Sequence, residues 1–307
     1  MILAPATQEI SDPKKRHAFL LNSFLSNRNP STIKNYKAAL TDFQHFIGSG
    51  SPEEAIARLF SKGHGEANAL VLAYRDRLVQ QKLAPNTINV RLAAIKSMGK
   101  LARLLGMIPW IVEVEGLKVQ TYRNTKGVGK ETVVEAIKKL EKETDKISIR
   151  DLVIIRMLYT HGLRRKEVAG LDLSDLDLEK SRVWILGKDR LEKEEITLAP
   201  KTKAAIEAWL RIRGRDKGPL IYNFDPTHKG DLRLSGTSIY RSIRGYGLGR
   251  PHGLRHSGIT EALDKTGGDV RAVQKFSRHK KIETLMIYDD NRRDLGGEVA
   301  KKLDEDT

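Results

Sequence analysis

Six side chains in the second half of the sequence have types and spacing suited to chemistry on a phosphate: Arg164, Lys188, His252, Arg255, His279 and Tyr288. Four of them fall in one stretch, Pro251 to Asp289, which reads PHGLRHSGITEALDKTGGDVRAVQKFSRHKKIETLMIYD. His252 and Arg255 are three apart, so on a helix they share a face. His279 and Tyr288 follow beyond a Gly-Gly turn and a further helix. A guanidinium can clamp two phosphate oxygens, an imidazole can move or donate a proton, and a phenol can attack phosphorus. Upstream, Gly162-Leu163-Arg164-Arg165-Lys166-Glu167 supplies a second arginine with a carboxylate three residues on, and Lys188 lies between two strand-like runs.

A phosphodiester attacked by an oxygen nucleophile gathers negative charge on its equatorial oxygens, so fixed cations there stabilise the transition state selectively. Two guanidiniums can do this without a metal. A phenol with an ordinary pKa of about 10 is protonated at neutral pH, so nearby cations and a base must favour its ionisation. The leaving alkoxide needs a proton, which a lysine on a mobile turn can deliver. No nucleotide-binding loop is found, and neither a cofactor nor a metal is expected.

The elements that would carry these groups can be read in order. Residues 1–18 are polar and irregular, with a turn at Asp12-Pro13. Pro30 opens a helix that Ser31 or Thr32 can cap, with Ile33, Tyr36, Leu40, Phe43 and Ile47 at helical spacing. Helices also begin at Pro52, where proline suits the first turn, at Ala67 and at Pro85, the last carrying Ile88, Leu92, Ile95, Met98, Leu101 and Leu105. Residues 19–115 therefore form an all-helical domain, and Lys34, Lys37, Arg91 and Lys96 on its outer faces are candidate phosphate contacts. Residues 116–130, Gly-rich and basic, read as an inter-domain linker that could itself lie along a nucleic-acid duplex, with Arg123 and Lys126 as candidate phosphate contacts.

The second domain, 131–307, mixes helices with a small antiparallel sheet. Its helices are expected at 132–144, 149–161, 164–171, 202–213 and 238–243, and its strands at 176–178, 182–186 and 195–198. Lys188, Arg190 and Lys193 sit in the turn between the last two strands. A short amphipathic helix at 292–305 follows from Leu295, Val299 and Leu303.

Net charge is +16, with +7 in residues 1–118 (16 Lys and Arg against 9 Asp and Glu) and +9 in the remainder. Both halves could therefore face one polyanion, with nucleic acid the first choice of partner. No cysteine is present, which excludes disulfides and thiolate metal sites. No apolar run is long enough for a membrane span and no signal pattern opens the chain, so a cytoplasmic, nucleoid-associated protein without membrane contact is expected.

GLRRKE, the strand–GKD–strand turn, HGLR and HKKIETLMIY together resemble the boxes of the tyrosine recombinases, the Xer, Cre and phage-integrase family of DNA strand-exchange enzymes. The resemblance covers the catalytic half in order, and the first half is similar in type to the family's core-binding domain. It implies that the two domains close around duplex DNA as a clamp. Arg164 and Arg255 would grip the non-bridging oxygens, with Glu167 orienting Arg164. Lys188 would protonate the leaving 5′ oxygen, and Arg190 in the same loop would contact DNA. His252 would act as acid or base, His279 would bond the phosphate, and Tyr288 would form a 3′-phosphotyrosyl link. A double-stranded site with inverted repeats is implied. So is a homo-oligomer on DNA, dimer to tetramer, joined through the C-terminal helix.

The sequence departs from the family pattern at His161 before Gly162, at Asp189 in the hairpin turn, and at Phe276-Ser277-Arg278-His279, where Leu-Gly-His is usual. A type IB topoisomerase shares the catalytic set. A DNA-binding regulator could use the helix–Gly-Gly–helix–turn–helix of Glu261 to Ile287, but it gives no reason for Arg164 and Lys188. A membrane-surface protein fits worst, since no helix joins a broad apolar face to a basic one.

Overall fold

The computed structural model describes residues 13–26, 28–119, 127–187, 190, 192–224, 232–290 and 295–305. The chain divides into two compact units, Met1–Tyr122 and Arg123–Thr307.

The first unit is helical: α1 (Pro13–Leu25), α2 (Pro30–Ile47), α3 (Pro52–Phe60), α4 (His64–Gln80) and α5 (Pro85–Leu104). Proline opens four of these, where its missing N–H costs nothing. The cap of α2 is Asn29, whose side chain accepts the Thr32 amide at 2.9 Å, rather than Ser31 or Thr32. Helix α1 begins inside the stretch read as irregular; the proline after Asp12 starts a helix instead of a turn. Leu20, Phe24, Leu40, Phe43, Tyr74, Ile88, Leu92 and Ile95 build the core. Within it Tyr74 donates to Asp42 at 2.6 Å and Arg91 donates to the same carboxylate oxygen at 2.9 Å.

The second unit is organised around α7 (Lys146–Tyr159), which follows α6 (Lys130–Leu140). Val153, Ile154, Ile155, Met157 and Leu158 of α7 are completely buried. Next come α8 (Arg165–Ala169), a 3-10 turn at Leu173–Asp175, and strands β1 (Leu176–Asp177), β2 (Arg182–Leu186) and β3 (Lys193–Thr197). The sheet is antiparallel in the order β1-β2-β3, with Leu176 opposite Val183 and Leu186 opposite Lys193. Val183 and Ile185 alternate into the core on the period of two that strands impose. The chain continues through α9 (Pro200–Arg213), α10 (Gly236–Gly245), α11 (Pro251–Lys265), α12 (Val270–Ser277), α13 (Glu283–Asp290) and α14 (Leu295–Glu305).

Helix α11 lies close on α7, because Gly258 leaves no side chain where a Cβ would come within 2.2 Å of the Tyr159 carbonyl oxygen. Ile259 and Leu263, one turn apart on α11, pack with Val273, Leu285 and Tyr288 in a separate small cluster. Among the described residues no helix is long and apolar enough to cross a membrane.

Candidate active site

Helix α11 brings three functional side chains to one end. Pro251 occupies its first turn, so His252, Arg255 and His256 project from the first two turns. His252 is exposed, whereas Arg255 is 1% exposed. The two imidazoles, four residues apart, meet edge to face with centroids 4.0 Å apart.

A buried guanidinium must find acceptors for its donors. Arg255 Nη1 donates to the Gly162 carbonyl, and Nη2 donates to the Ser277 carbonyl at 2.6 Å. The same Nη2 lies 3.4 Å from His279 Nε2. Arg255 thus bridges two segments distant in sequence, the turn before α8 and the end of α12. Burial, with the charges of Arg164 and Arg278, lowers its pKa to about 10, against the opposing pull of Glu167 and Tyr288. It remains a cation at neutral pH.

The turn before α8 depends on Gly162. Its φ is +57°, and a Cβ there would come within 3.1 Å of the Phe276 ring, so both backbone hand and close approach call for glycine. Arg164 follows as the residue preceding α8. Its backbone N–H and its Nη1 each donate to Glu167, both at 2.7 Å. The Arg164 side chain stays 29% exposed while that of Glu167 is 2% exposed. The carboxylate therefore holds the guanidinium from behind and leaves its outer edge accessible.

His279 follows the end of α12. Ser277 Oγ is 3.0 Å from its Nδ1, and Gln274 holds its carbonyl at 3.2 Å. Burial first, then the charges of Arg255, Arg164 and Arg278 with His252, push the imidazole pKa down to about 4. The ring is neutral at pH 7. A guanidinium can only donate, so Nε2 facing Arg255 carries the lone pair and Nδ1 carries the proton shared with Ser277.

Tyr288, on α13, is 4% exposed. Its ring stacks on His256 with centroids 4.8 Å apart and lies 5.9 Å from the His279 ring. Tyr288 belongs to the apolar cluster of Ile259, Leu263, Val273 and Leu285, and its ring meets two imidazoles. Arg164, Arg255, His252, His279, Tyr288 and Glu167 are thus gathered in one region of the second unit. Lys188 lies outside the described residues; its hairpin is bracketed by the Leu186–Lys193 pair.

Two members of this cluster were not among the sequence candidates. His256 could have been found from its position four residues after His252 on a helix face. Arg278 was noted as a departure, but its side chain turns inward to Glu167 Oε2 at 3.0 Å. His161 is buried, accepts weakly from the Ala199 amide at 3.4 Å, and has its pKa lowered to about 4 by burial, Arg278 and Arg156. It packs.

The basic residues proposed for phosphate contact divide. Lys34 and Lys37 are exposed on α2. Arg91 is engaged with Asp42, and Lys96 Nζ donates to the Val114 carbonyl at 3.0 Å. Arg190 is exposed and paired with Glu194 at 2.5 Å. Arg123 and Lys126 lie outside the described residues. Among the described residues no group of three or more His, Asp or Glu side chains is disposed to hold a metal ion.

The sequence model of the phage integrase family matches residues 129–294. A tyrosine recombinase of Synechocystis sp. is 43% identical over 287 residues, covering 90% of this chain and 91% of that protein. Among solved structures, a XerH site-specific recombinase bound to palindromic difH substrate superposes with a TM-score of 0.64, at 17% identity over 96% of this chain and 86% of that one. A lambda integrase dimer bound to a COC′ core site gives 0.63, at 13% identity over 90% of this chain and 95% of that one.

Proposed function

The chain belongs to the phage integrase family of tyrosine recombinases, enzymes that cleave and rejoin DNA, and from that premise we propose that Tyr288 is the nucleophile of a site-specific strand exchange. The observation that carries the proposal is the placement of the Tyr288 ring against His256 and His279, with Arg255 Nη2 3.4 Å from the latter.

In the proposed first step the phenolic oxygen of Tyr288 forms a bond to phosphorus as the bond to the 5′ oxygen breaks. The phenolic proton passes to an imidazole, with His252 the exposed candidate. Arg164 and Arg255 neutralise the equatorial oxygens, and a guanidinium already ordered by Glu167 needs no reorganisation as charge develops. Lys188 gives the leaving oxygen its proton. His279 begins as an acceptor toward Arg255. The arriving phosphate competes for that donor and raises the imidazole pKa, so His279 can turn donor toward a phosphate oxygen. The phosphotyrosine retains the bond energy, and the 5′-hydroxyl of a second strand reverses the step.

Duplex DNA is the partner, and the surplus of +16 makes its affinity salt-dependent. An inverted-repeat site and an oligomer on it are supported by the likeness to folds held on a palindromic substrate and as a dimer on a core site, and α14 is the proposed contact between copies. Lys34 and Lys37 are the exposed phosphate contacts proposed for the first unit. The test is a duplex selected from a random pool and nicked beside the cleavage point, so that the leaving strand escapes. Covalent protein–DNA adducts at two staggered positions in an inverted repeat are expected. Relaxation of supercoiled plasmid by a monomer, without site preference, would contradict the recombinase reading.

A further inference from the structure

Two arginines bridge the same pair of segments. Arg255 donates to Gly162 and Ser277. Arg278 starts from the other side: its backbone lies at the end of α12, and its side chain runs back to the turn before α8. There Nη2 donates to Glu167 Oε2 at 3.0 Å and to the Gly162 carbonyl at 3.2 Å. Nη1 reaches the carbonyls of Phe276 at 3.2 Å and His161 at 3.4 Å. The side chain is 3% exposed, so it serves as an internal strut and does not reach a ligand.

The backbone at this position sharpens the point. Arg278 ends α12 with φ +56° and ψ +37°, its amide bonded to the Gln274 carbonyl. Helices that end in this left-handed conformation usually place glycine there, because a side chain is strained in it. An arginine held in that conformation, with its guanidinium buried against a carboxylate, has a local reason to be there. The two arginines also differ in what a substrate asks of them. Arg255 must turn donors toward an incoming phosphate and so loosens its hold on Gly162 and Ser277, whereas Arg278 has no such demand.

We infer that Arg278 is a positioning residue that clasps the His279 turn to the Arg164–Glu167 turn, keeping the two halves of the phosphate site in register when Arg255 turns to the substrate. The inference rests on the strand-cleavage reading given above. Its electrostatic consequence is specific. Burial favours the neutral Glu167 carboxyl, but the Arg278 charge and the hydrogen bonds from Arg164 outweigh it and hold its pKa below the ordinary value. The charged groups acting on Glu167 are Arg164, Arg278 and, from α11, Arg255.

Arg278→Gly suits the backbone, so the fold should survive and melting should confirm it. The expected variant binds DNA as the parent does but cleaves the nicked duplex roughly tenfold or more slowly. Its pH–rate profile gains a new acid-side limb as Glu167 titrates. Millimolar guanidinium ion restores part of the rate, and Arg278→Lys, keeping charge without the fork, falls between the two. A parental rate and profile in Arg278→Gly would overturn the inference, as would a uniform loss with neither pH shift nor guanidinium response. A second measurement needs no DNA: the Glu167 carboxyl titration, followed by carbon-13 NMR, should move upward in Arg278→Gly, and an unmoved titration would reject the clasp. If the parent forms no covalent adduct, the cleavage reading fails while the NMR titration still judges this one.

Discussion

Each unit of this protein sets a carboxylate against arginine with a tyrosine nearby, and the two clusters differ in burial and in charge: the Asp42 side chain is 23% exposed, that of Glu167 2%. In the first unit Asp42 accepts from Tyr74 and Arg91, and the phenol serves as a donor, with Arg77 also close enough to act on it. Burial, then the hydrogen bond to Asp42, raises the Tyr74 pKa, so the phenol stays protonated. In the second unit Glu167 faces Arg164 and Arg278 directly, and Arg255 lies close enough to act on it. One anion stands among three cations. The Tyr288 ring lies against the imidazoles of His256 and His279. A cluster with surplus positive charge is completed by an anion, and phosphate geometry matches paired guanidiniums.

The strongest break in the comparison comes from removing each phenolic oxygen. Tyr288→Phe should abolish the covalent adduct while DNA still binds in a gel shift. Tyr74→Phe should cleave normally but lose about 1–2 kcal/mol in a urea melt, since a partly buried hydrogen bond to a charged acceptor is gone. Exchanged phenotypes would refute the distinction. Next in size is the arginine pair. Arg255→Lys removes the fork and should slow cleavage by about 10²–10³-fold while DNA still binds in a gel shift. Arg91→Lys should leave the cleavage rate unchanged.

Acid supplies a smaller effect. His161 and His279 resist protonation in the folded chain until about pH 4, while the unfolded chain takes those protons near 6.5. Their contribution to stability is complete above 6.5 and is lost as pH falls toward 4, because the unfolded state then binds more protons. His161→Gln should remove about 1–2 kcal/mol of the stability difference between pH 7 and pH 5, measured by urea melts. Equal slopes in parent and variant would argue against the buried neutral ring. The smallest effect belongs to the first unit's surface. Lys34→Ala and Lys37→Ala should each reduce the slope of log affinity against log salt by about 0.9, with cleavage at saturating DNA unaltered.

Much of this architecture was legible because it is local. Proline at a helix start, apolar residues every third or fourth position, and alternation in β2 are set by neighbours in sequence. The same rule, applied at Pro13, would have found α1; the polar tail around it pointed the other way. What the sequence concealed is tertiary. Arg91 meets Asp42 across 49 residues, and Lys96 meets Val114 across 18, so neither shows as engaged in a linear reading. Arg278 was visible as an unusual residue before a histidine. Its left-handed backbone and its reach of 111 residues back to Glu167 were not. The catalytic candidates were readable as a set of residue types, but their depth of burial came only from the fold.

The central claim is that the cation-rich cluster of the second unit receives a phosphate for attack by Tyr288. The most direct measurement is to trap the adduct on a nicked duplex, digest it with protease and nuclease, and sequence the nucleotide-bearing peptide by mass spectrometry. The account predicts a single 3′-phosphate ester on Tyr288, with a free 5′-hydroxyl on the released strand. An adduct on any other residue, or one carrying a 5′-phosphate, would contradict it.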